Sequence, residues 1–297
     1  MSMESRGQSP WHPFFPSMRR NLIRPCSPLL RIHPERSRRA EQWPAAESRG
    51  LRRRVKVKVC GITNLRDARA AVAAGADFLG FVFYKKSPRY IAPVKAFRLI
   101  SCLPRTVRKV GVFVNEDKER VKAIAAACGL DMVQFHGTET PAYVNAFKAC
   151  RVIKAVRVKG RRSLEGLDKY RADFFLLDTF RKGRFGGTGE RFSWKLLAPL
   201  ALQPVRHKLW RTGRIPPHGC KDNGAMGFSS WGSTKKKTKF IVSGGLTPDN
   251  VGELLQVFKP YAVDVSSGVE KAPGKKDIGK IRQFIQKAKK AAVSPIK

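Results

Sequence analysis

The chain has 297 residues, with 60 Lys and Arg against 22 Asp and Glu, for a net charge of +38. That length holds one large domain or two small ones. No apolar run is long enough to span a bilayer, and six cysteines without CxxC spacing argue against a disulfide framework or a zinc site and point to a reducing compartment. The charge asks for a polyanion or an anionic small substrate; with no RNA-binding motif or aromatic stacking pattern, the small substrate comes first.

In chain order, residues 1–54 hold twelve Arg, no Lys and seven Pro without an apolar period, which predicts a disordered basic extension. It faintly resembles a transit peptide, but four Glu and two Trp and the lack of a clear amphipathic helix favour a cytoplasmic protein, with a plastid location second. Strand patterns follow at 55–63, 78–83, 109–114, 132–136, 152–158, 174–179, 240–243 and 262–266. Helical patterns separate and follow them at 65–74, 94–102, 118–128, 142–150, 164–170, 194–201, 248–258 and 278–291. Asn64 and Ser193 are predicted caps, and Thr247-Pro248 predicts a cap followed by Pro in the first turn. Residues 204–238, with Pro216-Pro217 and Lys235-Lys236-Lys237, are aperiodic and read as a low-order insert between the sixth helix and the seventh strand.

Strict alternation of eight strands and eight helices predicts a parallel (β/α)8 barrel over 55–297, interrupted by that insert. The fold turns sequence position into function. Loops that follow strands lie at the catalytic face, so the insert and the extension belong at the opposite one.

The strand ends carry reactive groups. Cys60 closes the first strand. His136 closes the fourth, where a lone His is more often structural. Asp178 nearly closes the sixth, where an apolar setting argues for a raised pKa and a general acid. Arg89, in the cationic loop after the second strand, can grip a carboxylate with two N–H groups. The loop 183–189 is Gly-rich and reads as mobile or backbone-binding. Strands seven and eight end in Ser243-Gly-Gly-Leu246 and Ser266-Ser-Gly268, in the slots where such barrels bind phosphate.

Taken together, Lys58-Val-Cys-Gly-Ile-Thr63, Gly80-Phe-Val-Phe-Tyr84 with Ser87-Pro-Arg-Tyr90, Val110-Gly-Val-Phe-Val-Asn115, Val133-Gln-Phe-His-Gly137, Leu176-Leu-Asp178, Gly186-Gly-Thr-Gly189 with Phe192-Ser-Trp194, Ser243-Gly-Gly-Leu246 and Val263-Asp-Val-Ser-Ser-Gly-Val-Glu270 with Pro273-Gly-Lys-Lys-Asp277 resemble phosphoribosylanthranilate isomerase along the whole core. The resemblance implies an aldose–ketose isomerase of tryptophan biosynthesis that uses no cofactor and no metal. It makes Asp178 the general acid and Cys60 the general base. Arg89 meets the anthranilate carboxylate, Asp264 orients the sugar, and Gly244, Gly245, Ser266, Ser267 and Gly268 hold the phosphate. The implied partner is a phosphorylated small molecule, without nucleic acid or membrane, for a monomer or homodimer. Two alternatives stand beside it. A different phosphosugar barrel would want metal-binding His residues or a Lys/Glu set at the strand ends. A catalytically idle basic barrel that binds nucleic acid would show strongly salt-dependent RNA binding.

Overall fold

Eight parallel strands pair in chain order, and the first also pairs with the eighth to close a barrel. The structure, a computed structural model, describes residues 55–179, 194 and 239–291. The extension 1–54, the loop 183–189, Ser193, the predicted sixth helix beyond Trp194 and the insert 204–238 lie outside the described residues.

The strands are β1 (Lys56–Cys60), β2 (Phe78–Val82), β3 (Arg108–Phe113), β4 (Met132–Phe135), β5 (Arg151–Val158), β6 (Phe174–Thr179), β7 (Lys239–Val242) and β8 (Ala262–Val265). The described helices are α1 (Leu65–Ala73), α2 (Pro93–Ser101), α3 (Lys118–Cys128), α4 (Pro141–Asn145), α5 (Val251–Val257) and α6 (Ile278–Ala291). Alternation along each strand sorts side chains into two sets. Outward residues such as Val57, Val59, Leu79, Phe81 and Val133 pack under the helices. Inward residues Phe78, Val110, Met132, Ile153, Phe174, Leu176, Ile241 and Ala262 fill the barrel in layers from alternate strands. The lower layers are mostly apolar; toward the C-terminal ends of the strands the lining turns polar, with Cys60, Gln134, Asp178 and Asp264 all buried.

Most predicted elements appear, and the exceptions have local causes. Asn64 caps α1 by accepting from the Asp67 N–H at 2.9 Å. The predicted helix 164–170 is instead two 3-10 turns, Arg161–Leu164 and Leu167–Lys169, because Gly166 between them sits at φ 72°. α4 stops at Asn145, short of the predicted 150. The Asn145 side chain bonds the Lys169 carbonyl and the Arg171 N–H, which ties the chain to the segment before β6. Thr247 does not cap α5 directly. Its hydroxyl accepts from Asp249 N–H in a turn that holds Pro248, and Asn250 is the residue before the helix. A hairpin, β9 (Glu270–Ala272) and β10 (Lys275–Lys276), follows β8 and was not expected.

α6 closes the outer layer through the buried residues Ile281, Phe284, Ile285 and Ala288. Phe284 is fully buried, so Phe284→Ala is expected to cost about 3–5 kcal/mol, read as a lower midpoint in urea unfolding.

Candidate active site

Cys60 is the last residue of β1 and packs against Val82 and Val112 near the barrel mouth. Lys58 lies two residues earlier, on the same strand face. Its ammonium is fully buried and donates to Asp264 Oδ1 at 3.0 Å. The second Asp264 oxygen accepts from the Ser243 hydroxyl at 3.2 Å. Burial works against the Lys58 charge, but Asp264 and then Cys60 outweigh it and hold the ammonium above the ordinary lysine value. Burial is also the largest influence on Cys60 and leaves its thiol above the usual range. Lys58 and Lys276 pull it down, and Asp264 adds to the rise.

Asp178 is buried on β6, and both of its oxygens are engaged. Oδ1 accepts from the Thr179 N–H at 2.9 Å, and Oδ2 lies 3.1 Å from His136 Nε2. Gln134 Nε2 lies 3.0 Å from His136 Nδ1. With the amide donating, Nδ1 is the acceptor and Nε2 carries the hydrogen toward Asp178, an assignment made from the bonding network. His136, a structural residue by its sequence setting, therefore sits directly on the candidate acid.

Arg89 already holds a carboxylate. Its Nε and Nη2 donate to the two oxygens of Glu270 at 2.9 and 2.7 Å. Lys276 Nζ donates to the same side chain at 2.8 Å. Burial alone would raise the Glu270 carboxyl, but Arg89 and Lys276 outweigh it and hold it below the usual carboxylate range. Two of the five guanidinium N–H groups are thus spent inside the protein, and a ligand carboxylate would meet the rest.

The candidate phosphate loops converge. Gly244 and Gly245 lie at φ 90° and 63°, conformations that favour glycine, and a Cβ on Gly244 would collide with the Thr179 side chain and lie 3.0 Å from Asp178 Oδ1. The loop after β7 thus passes directly over the acid. Ser267 and Gly268 form a 3-10 turn after β8, and Gly268 presses against the Leu246 backbone. The Ser266 hydroxyl donates to the Cys60 carbonyl at 3.2 Å, which ties the start of the β8 loop to the end of β1.

A family model described as N-(5'-phosphoribosyl)anthranilate (PRA) isomerase matches residues 57–223 and 226–287. The chain belongs to this family. It is 44% identical over 237 residues to N-(5'-phosphoribosyl)anthranilate isomerase of Trichlorobacter lovleyi, covering 80% of this chain and 99% of that one. Two solved structures, the first from Thermotoga maritima, each match at 38% identity and TM-score 0.62, covering 80% of this chain and 99% of theirs. One is described as monomers generated from a dimeric phosphoribosylanthranilate isomerase, and the other as the isomerase in complex with reduced 1-(o-carboxyphenylamino)-1-deoxyribulose 5-phosphate.

Sequence reasoning gave no role to Lys58, Glu270 or Lys276. The position of Lys58 was legible, since a residue two before Cys60 on a strand must share its face. Glu270 and Lys276 lie at the two ends of a seven-residue hairpin with no strand signal of its own. A depressed carboxyl contributes stability above its unfolded pKa, about 4.3 for Glu, and loses it as the pH falls through the folded value. The stability gap between the parent protein and Glu270→Gln should therefore be flat at neutral pH and shrink only below about pH 4, as read by denaturant unfolding across pH.

Proposed function

We propose that the chain isomerises N-(5-phosphoribosyl)anthranilate to 1-(2-carboxyphenylamino)-1-deoxyribulose 5-phosphate, an Amadori rearrangement in L-tryptophan biosynthesis. The observation that carries the reading is the pairing, in a chain of this family, of a buried thiol on β1 with a buried carboxyl group on β6 at one barrel mouth.

Asp178, as general acid, delivers a proton to the ribose ring oxygen as the ring C–O bond breaks, leaving a Schiff base. Cys60, as thiolate, takes the C2′ proton. The C–H electron pair becomes the C1′=C2′ bond of an enolamine, which tautomerises to the ketone. His136 holds Asp178 in line, and the Gly244 contact brings the β7 loop close to the acid. Arg89 takes the anthranilate carboxylate on the edge that Glu270 leaves open. The backbone and hydroxyl groups of Gly244, Gly245, Ser266, Ser267 and Gly268 take the phosphate, and Asp264 orients the sugar. No cofactor or metal enters these steps. The surplus of cations over the barrel core suits an anionic substrate. A cytoplasmic location and a monomer or homodimer complete the reading, the latter supported by the dimeric Thermotoga relative.

Loss of phosphoribosylanthranilate fluorescence tests it. Cys60→Ser and Asp178→Asn should each lower kcat by roughly 10²–10⁴-fold with the fold intact by circular dichroism. A folded parent protein without activity would sink the proposal.

A further inference from the structure

Lys58 is a costly residue to place where it is. On the other odd-numbered strands the matching layer is filled by Val110, Ile153 and Ile241. A buried ion pair is no better for stability than apolar residues of the same volume, so the Lys58–Asp264 pair is not explained by packing.

Its surroundings point at Cys60. Gly80 lies across from both groups, and a Cβ there would lie 2.6 Å from Cys60 Sγ and 3.1 Å from Lys58 Nζ. The missing side chain lets thiol and ammonium share one space, where the ammonium's charge favours the thiolate. The charged neighbours complete the case. Lys58 faces Cys60 from β1, Asp264 from β8 and Lys276 from β10, while Tyr84 packs at the edge of the cluster. Behind Lys276 stand Glu270 and Arg89. Of these groups, Lys58 and Lys276 favour a thiolate at Cys60 and Asp264 opposes it.

We propose that Lys58 is a positioning residue for the reaction, its buried ammonium being the counter-ion that favours the Cys60 thiolate against the burial that opposes it. Lys58 keeps its proton throughout, Cys60 alone gains and loses one, and Asp264 both anchors the ammonium and limits how strongly it acts. This rests on the assignment of Cys60 as base, but the titration of Cys60 can be read without any turnover.

The test is the thiolate absorbance of the substrate-free protein across pH, taken as the difference from the same protein carrying Cys60→Ser. Lys58→Met should move the Cys60 midpoint up by about one pH unit or more, an about ten-fold smaller thiolate fraction below the midpoint. Lys58→Arg should stay near the parent. Asp264→Asn should move the midpoint down, the opposite sign, which a merely structural pair would not do. If Lys58→Met strands the Asp264 carboxylate and fails to fold, Lys58→Met/Asp264→Asn is compared with Asp264→Asn, and the upward shift is again expected. In the assay of Lys58→Met, a residue given no substrate contact, the acid limb of kcat should follow the Cys60 midpoint, with KM changed less than about two-fold. A midpoint that ignores Lys58→Met, or shifts of the same sign for Lys58→Met and Asp264→Asn, overturns the proposal. An inactive parent protein that still shows the opposed shifts would overturn the proposed function and leave the Lys58–Cys60 coupling standing.

Discussion

The closure of the barrel between β1 and β8 is the constraint on which the rest depends. The ladder sets Lys58 directly opposite Asp264, and the two side chains meet at 3.0 Å inside the barrel. Either group alone would be a bare charge in an apolar interior, a strongly destabilising arrangement. A one-residue slip of β1 would turn Lys58 out of the interior and leave Asp264 there alone, so the pair favours this register. Two residues further along each strand stand Cys60 and Ser266, and the Ser266 hydroxyl bonds the Cys60 carbonyl where the ladder ends. The alignment of the mouth is thus inherited from a pairing one layer below.

A second chain of bonds carries order outward from a helix cap. Asn64 accepts from the Asp67 N–H, and its amide donates to Asp67 Oδ2 at 2.8 Å. That same oxygen accepts the Lys276 N–H at 2.8 Å. Lys276 reaches Glu270, and Glu270 fixes the Arg89 fork. A capping motif usually satisfies the free N–H groups of its own helix. Here its acidic member also pins a hairpin 209 residues away in sequence and so fixes the angle of an arginine across the mouth.

The barrel was legible because each layer writes its own period into the chain: apolar runs of four to six residues for strands buried on both sides, and helical spacing for α3 and α6, whose expected bounds match those observed. Cys60 and Asp178 were legible because a reactive residue at the end of an apolar strand has one place to go in this fold. What stayed hidden was tertiary. Nothing local to Gly166 says that its left-handed backbone divides a helix pattern in two. Nothing local to Arg89 says that its first partner is Glu270, 181 residues on. His136 looked structural by type, and only the meeting of β4 and β6 side chains at the mouth gave it Asp178.

The distance along the chain between the paired residues bears on how the protein is made. Lys58 and Asp264 stand 206 residues apart, and Asp67 meets Lys276 across a similar span. While the ribosome is still synthesising β7, Lys58 has no carboxylate to pair with and β1 has an unpaired edge. That leaves a half-finished barrel open to wrong strand pairing. Contacts of such long range form slowly, so the chemistry at the mouth becomes possible only in the final act of folding. A chain stalled before β8 would hold its thiol on an open edge, and its acid on the strand next to the other, with nothing closing the mouth between them.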